Sequence, residues 1–254
     1  MKDNVVIRRA SLTGMFLALF ILASPAVLAA DSEWEYSADV YLWGSKLGVT
    51  TPGGRESSLP FYKIIDNLKM AFMGGMQAQK DKWSLSADLI YLSLDKQVNR
   101  DAGYIDAVTD VDGNASLKSW IVTPAVGYAI HESESSRVEI VGGVRYLWLK
   151  SGANVEFDNA PVFDEAVSKS YWDAIIGVRA RFDLNDKWFM PMYADIGTGD
   201  TDITWQGFAG VGYKFEKVKA VFGYRYLQYE FGSDNRVMGE MTVNGPLLGL
   251  VMDF

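Results

Sequence analysis

The sequence predicts an all-β protein: a single antiparallel transmembrane β-barrel of about ten strands, within a range of eight to twelve. Apolar and polar residues alternate with period two through most of the chain, and the links between these segments alternate between short and long. Aromatic residues also recur at one end of the segments. Tilted strands of about 9–11 residues span a bilayer with one face in lipid and the other in the lumen.

The composition agrees with one exported domain. The chain has 254 residues, no Cys, one His and a formal net charge of -8. One domain accounts for this length, and the acidic balance argues against a nucleic-acid partner.

Residues 1–30 predict a secretory signal peptide. A basic start precedes an apolar run over residues 12–23, and small residues continue up to Ala30. Because the run is shorter than the roughly 20 residues that cross a bilayer, we expect cleavage rather than an uncleaved anchor. The barrel domain is then residues 31–254.

Ten segments carry the strand pattern. In residues 83–94, Leu85 and Leu89 oppose Ser86 and Asp88, and the other segments alternate in the same way. In chain order the segments are residues 34–48, 70–79, 83–94, 120–130, 138–149, 171–182, 188–196, 205–215, 218–231 and 246–254.

The links predict which end of the barrel faces outwards. Tight turns are predicted at residues 80–82, 131–137, 185–186 and 216–217, and longer links at 49–69, 99–116, 158–169 and 232–239, with 197–202 as a short exception. Short periplasmic turns and longer extracellular loops are typical of barrels, whereas a soluble β-sandwich needs no such sorting. The aromatic residues Trp34, Trp83, Phe182, Trp188, Phe215 and Phe254 predict a girdle at the periplasmic end.

The last segment carries a family resemblance. Leu248, Leu250, Met252 and Phe254 share one face. In this it resembles the closing strand of Gram-negative outer-membrane β-barrel proteins, the class of small OmpA-like and porin-like barrels. The resemblance implies outer-membrane localisation, contact with outer-membrane lipid including lipopolysaccharide, and recognition of these four residues by the barrel-assembly machinery.

Charged residues on the inward face are the candidate functional residues. Arg145, Arg179 and Arg225 are expected at similar depth, with Asp39, Asp88 and Asp195 as their partners across neighbouring strands. Two interpretations remain open: a buried network that fills a narrow lumen, or a charged lining for a small conductance. The predicted network comprises Asp39, Asp88, Glu139, Arg145, Asp173, Arg179, Arg181, Asp195 and Arg225.

Two local features depart from this pattern. Phe61, Ile64, Ile65 and Leu68 recur at helical spacing and predict a short amphipathic helix within residues 59–69. His131, the only imidazole, precedes a serine-rich turn and is interpreted as a turn residue rather than a catalytic base. We expect no cofactor and no metal site.

These observations favour a non-enzymatic outer-membrane barrel, either structural or a narrow passive channel with a charged, largely side-chain-filled lumen. The alternatives are an outer-membrane enzyme acting on lipid or peptide, and a soluble secreted β-sandwich. The fold does not determine the function, so the choice among these candidates depends on the residues of the lumen and the loops.

The resemblance makes the closing strand testable. We expect Phe254→Ser to reduce insertion and to leave protein in the periplasm for degradation, because the assembly signal loses its terminal aromatic. Quantifying the variant in outer-membrane fractions checks this, and wild-type levels would show that the segment is not the signal.

Overall fold

The computed structural model describes residues 34–54, 56–100, 111–157, 160–232 and 239–254. The predicted signal peptide, residues 31–33 and parts of the four predicted long loops lie outside the described residues. No helix in these ranges is long and apolar enough to cross a bilayer.

The described chain forms twelve strands and one short helix. In chain order they are β1 (Glu35–Trp43), β2 (Lys46–Thr50), β3 (Glu56–Leu59), α1 (Phe61–Asp66), β4 (Leu68–Lys80), β5 (Trp83–Arg100), β6 (Val111–Glu132), β7 (Ser136–Phe157), β8 (Ala160–Asp183), β9 (Trp188–Gly199), β10 (Ile203–Lys214), β11 (Lys219–Glu230) and β12 (Glu240–Asp253).

One antiparallel sheet closes on itself. Its order runs β1-β4-β5-β6-β7-β8-β9-β10-β11-β12, and β12 pairs back with β1. After a break at Gly44 and Ser45, β2 continues the line of β1 along β12, and β3 pairs with β2. The ten-stranded barrel predicted from the sequence is therefore confirmed, and the β-sandwich alternative is wrong.

The periplasmic rim has the predicted short turns, but the outer side differs from the prediction. β5 continues to Arg100 and β6 begins at Val111, while β7 and β8 pair as far as Phe157 and Ala160. The described ends of the predicted loop 99–116, and residues 160–169 of the predicted loop 158–169, are thus strand. β6, β7 and β8 are 22–24 residues long, which is about twice a bilayer span. Outside the membrane a hairpin needs no apolar face, so the alternation that marks strands in the sequence is lost there.

The outer surface is apolar between two aromatic levels. Near the short turns, Trp83 contacts Tyr128 with ring centroids 4.9 Å apart. Further out, Tyr91 lies 4.4 Å from Trp120 and Trp205 stacks on Tyr226 at 4.5 Å. Between these levels the outward side chains are exposed and apolar, among them Val40, Leu85, Val126, Ile140, Ile176, Ile196, Phe222 and Leu250. Two aromatic girdles around an apolar band are the surface of a barrel in a bilayer.

The inward face in the outer half of the barrel is apolar as well. Leu147, Leu227 and Tyr229 are completely buried there. We call this cluster the plug; its buried members are Tyr41, Trp43, Leu47, Ile64, Ile90, Leu94, Ile121, Leu147, Leu149, Tyr171, Leu227, Tyr229, Phe231, Met241 and Leu247.

The predicted helix exists but is shorter than its pattern. Only Ile64 of α1 is buried, where it joins the plug, and Leu68 belongs to β4 instead. β1 pairs with β4 only from Glu35 to Val40. Above that point α1 lies beside the barrel wall, with the Phe61 ring 3.7 Å from the Cβ position of Gly44.

Closure has a simple biochemical consequence. We expect the protein to stay in outer membranes during extraction with high salt or urea, and to migrate differently on gels before and after boiling. Every wall strand is paired on both sides, so the barrel resists solvents that strip peripheral proteins. Release by urea alone would contradict the closed barrel.

Candidate functional site

Below the plug, the lumen opens into a water-accessible cavity. Its volume is about 720 Å³, and its lining reaches the periplasmic rim at Glu35, Asp253 and Phe254. We call this cavity the vestibule. The side chains that carry its charge include Asp39, Asp88, Arg137, Glu139, Arg179 and Arg181.

The deepest charges form a closed pair beside the plug. Arg145 Nη2 donates to both carboxylate oxygens of Asp195 at 2.5 and 2.7 Å, and Nη1 donates to Thr204 Oγ1 at 3.0 Å. Both charged side chains have 0% exposure. Burying two ions costs several kcal/mol each, so each is tolerated only with the other in place.

Asp173 lies next to this pair. It is the strand partner of Arg145 across β7 and β8, and its Oδ1 accepts a hydrogen bond from the backbone N–H of Thr201 at 2.9 Å. Arg145 Nε and Asp173 Oδ2 are buried without a hydrogen-bond partner among the described atoms. Asp173 therefore ties the β9–β10 link to the lumen wall.

Arg225 makes the connection across the lumen. Its guanidinium donates to Asp88 Oδ2 at 2.7 Å, to Gln206 Oε1 at 2.6 Å and to the Tyr41 hydroxyl at 2.8 Å. Tyr41 in turn donates to Asp88 Oδ1 at 2.7 Å. The Trp43 ring faces the guanidinium at 5.0 Å. Since β11 and β5 are separated by three wall strands, this group braces opposite parts of the barrel.

Glu139 collects a third group nearer the rim. It accepts from Arg137 Nε at 2.8 Å, from Ser84 Oγ at 3.0 Å and from Arg179 Nη1 at 3.2 Å. Arg179 Nη2 also donates to Ser86 Oγ at 2.7 Å. The Arg179 side chain is 23% exposed to the vestibule, so water screens it far more than Arg145.

Arg181 stands at the vestibule wall with an aromatic support. Its Nε donates to Asp183 at 3.2 Å, and its guanidinium carbon lies 4.3 Å from the centre of the Phe189 ring. The side chain is 36% exposed. It is therefore held in place on one side and open to the vestibule on the other.

The structure places all nine predicted charges on the inward face, but several of the expected pairings are wrong. Arg179 pairs with Glu139 rather than with an aspartate, and no described ion pair includes Asp39. The Arg145 and Arg225 pairs also skip neighbouring strands. Period-two spacing fixes a face and leaves the direction across the lumen open. The neutral partners Tyr41, Ser84, Ser86, Thr204 and Gln206 were missed, although they occupy the same inward positions.

His131 lies outside the lumen. Its Nε2 is 3.1 Å from Ser136 Oγ, which is 2.8 Å from Ser133 Oγ, at an exposed periplasmic turn. Within the described ranges, no group of three His, Cys, Asp or Glu side chains is arranged to hold a metal ion.

Comparison with solved structures finds other barrels at low identity. The outer membrane protease OmpT of Escherichia coli is 11% identical, with a TM-score of 0.46 over 87% of this chain and 97% of that one. The translocator domain of the autotransporter NalP from Neisseria meningitidis is 13% identical, with a TM-score of 0.47 over 91% and 92%. Ail of Yersinia pestis is 11% identical, with a TM-score of 0.38 over 87% and 98%.

No protein-family model matches the chain, and no curated protein matches it either. The architecture therefore rests on the strand pairing and surface of the chain itself: a closed, even-stranded barrel with an apolar band between aromatic girdles. This is an outer-membrane β-barrel protein. The three structures named above are 11–13% identical with TM-scores below 0.5, so no reaction is carried over to this barrel.

Arg145 and Arg179 allow a direct comparison between a buried and a partly exposed lumen charge. We expect Arg145→Ala to lower the free energy of unfolding by about 3–5 kcal/mol, because Asp195 is left buried and uncompensated. Arg179→Ala should cost less than about 1 kcal/mol, since water reaches that site and Glu139 keeps Arg137 and Ser84. Equilibrium unfolding in guanidinium checks both, and equal losses would contradict the assignment of depth.

Proposed function

We propose that the protein is a non-enzymatic, non-conducting outer-membrane barrel that anchors its extended outer hairpins in the membrane. The observation that carries this proposal is the plug. Its members come from strands on opposite sides of the barrel, and the Tyr171 and Phe231 rings meet at 4.9 Å. A continuous apolar cluster leaves no hydrated path for ions through the outer half.

The charged residues support the same proposal. Arg145 and Arg225 are bound to carboxylates and neutral partners from several strands, so they stiffen the barrel instead of lining an open pathway. Charges that are bound within the protein have little capacity to replace the water around a passing ion.

The long hairpins β5–β6 and β7–β8 extend beyond the membrane on the outer side. The paired parts of β5–β6 and β7–β8 continue about ten residues past a bilayer span, whereas β9, β10 and β11 have 12 residues each. One side of the barrel therefore rises above the outer surface. Contact with lipopolysaccharide, and delivery by the barrel-assembly machinery, belong to this proposal as well.

A narrow passive channel is the second candidate, and the vestibule favours it. Half of the lumen is already water-accessible and carries charges at its wall. A channel would need the plug to move, so its openings would be rare and its ion preference would depend on Arg179.

Recording from planar bilayers separates the two candidates. We expect wild-type protein, shown to be folded by its unboiled gel mobility, to produce no resolved openings. Tyr171→Ala should increase brief openings because it removes a ring that joins two sides of the plug. The neighbouring variant Trp172→Ala removes a ring of similar size from the lipid-facing side and should stay silent.

Stable wild-type openings with the plug intact would overturn the sealed barrel. If Arg179→Gln then changed the preference between cations and anions, the channel would be the function. Equal effects of Tyr171→Ala and Trp172→Ala would show that general destabilisation, and not the plug, controls conductance.

A further inference from the structure

Two predicted lumen charges, Asp173 and Asp39, belong to no ion pair among the described residues, and Asp173 is buried beside Arg145, which leaves Asp39 as the accessible one. Asp39 lines the vestibule. Gly75 is its strand partner on β4. A Cβ at Gly75 would lie 2.8 Å from Asp39 Oδ1, so a glycine at this position leaves the carboxylate its space.

Arg179 faces Asp39 from the opposite wall. The barrel has ten strands, and β1 and β8 are five strands apart in either direction around it. Both side chains line the same vestibule. The Arg179 guanidinium reaches into this cavity, where it is bonded to Glu139 and to Ser86 of β5, so the space between it and the Asp39 carboxylate is narrower than the barrel.

The strand register also places the two residues at the same height. Followed through β4 to β7, the pairing that starts at Asp39 reaches Asp173 on β8. Followed through β12 to β9, it reaches the turn at Asn185. The two routes end at different residues because the strands are tilted relative to the barrel axis. The residue halfway between Asp173 and Asn185 is Arg179, which therefore lies at the same height as Asp39.

Arg181 adds a second guanidinium beside the first. It lies two residues along β8, on the same inward face, and its Nε is engaged by Asp183. Its guanidinium carbon lies 4.3 Å from the centre of the Phe189 ring, and both side chains line the vestibule. Two neighbouring guanidiniums are a common arrangement for binding a carboxylate.

We propose that the vestibule binds a small zwitterion from the periplasm, with its ammonium group on Asp39 and its carboxylate on Arg179 and Arg181. The plug makes the vestibule a blind site, so such a molecule is held there and does not pass through. A volume of about 720 Å³ falls within the usual range for small-molecule sites.

The width of the barrel indicates the size of the ligand. Ten strands about 4.8 Å apart and tilted by about 40° enclose a backbone cylinder of roughly 20 Å. The two side chains fill about half of that width, and a charge-assisted hydrogen bond of about 2.8 Å is needed at each end. Roughly 4–5 Å remain between the ligand's opposite charges, which is the span of a short amino acid or dipeptide.

Three probes of equal length test the charge pattern. We titrate the refolded full-length barrel in non-ionic detergent with 4-aminobutyrate, butyrate and butylamine, and follow the Gly75 amide by NMR together with the heat of binding. The zwitterion should bind about tenfold more tightly than either single ion, because each end adds a charge-assisted hydrogen bond worth about that factor.

Two carboxylate variants separate recognition from general charge effects. Asp39→Asn should weaken 4-aminobutyrate about tenfold and bring it to the level of butyrate. Glu35→Gln removes a charge at the rim of the same vestibule and should leave binding unchanged. Equal affinity for the three probes, or a Gly75 signal that does not move up to high millimolar probe, would overturn the site. Both outcomes are independent of whether the plug conducts.

Discussion

The pairing of β12 with β1 is the constraint on which the rest of the structure depends. In a bilayer an unpaired strand edge has no water to satisfy its N–H and C=O groups, so the sheet has to close. Closure fixes which side chains face lipid and which face the lumen, and it forces both sets into alternate positions along every strand. Ser37 to Trp43 and Leu247 to Asp253 form that closing seam. The seam continues above a break as β2, and α1 lies beside the wall where β1 and β4 separate.

Closure also leaves an interior space that side chains have to fill. Ten strands enclose more space than a single layer of small side chains fills, and the chain fills it in two ways. The outer half uses aromatic and branched apolar side chains, which gain from leaving water. The inner half uses long charged side chains that reach across the lumen, such as Arg225 to Asp88. Burying a guanidinium costs desolvation free energy, which is offset only where several acceptors surround it. Arg225 donates to three acceptors: Asp88, Gln206 and Tyr41.

Much of this could be predicted from the sequence, and the limits have a physical cause. Alternation reports which face a residue occupies, so the strands, the periplasmic girdle and the inward face of the nine charges were predictable. It does not report depth or direction across the barrel, which depend on strand tilt and on contacts between strands far apart in the chain. Arg179 and Arg145 look alike in the sequence, yet one is 23% exposed and the other 0%. The outer hairpins were missed because strands outside a bilayer need no apolar face.

The same difference in depth separates stability from recognition within one network. Arg145 is completely buried against Asp195 and Thr204, so its guanidinium is out of reach of a ligand in the vestibule. Arg181 lines the vestibule and is 36% exposed, with its Nε bound to Asp183 and its guanidinium beside Phe189. A charge that is fixed but incompletely satisfied is what a ligand of opposite charge can complete. Asp39 has this property on the facing wall. The plug therefore shapes the vestibule as well as closing the lumen. Charges beside the plug are buried and stabilise the fold, whereas charges further from it are accessible to a ligand.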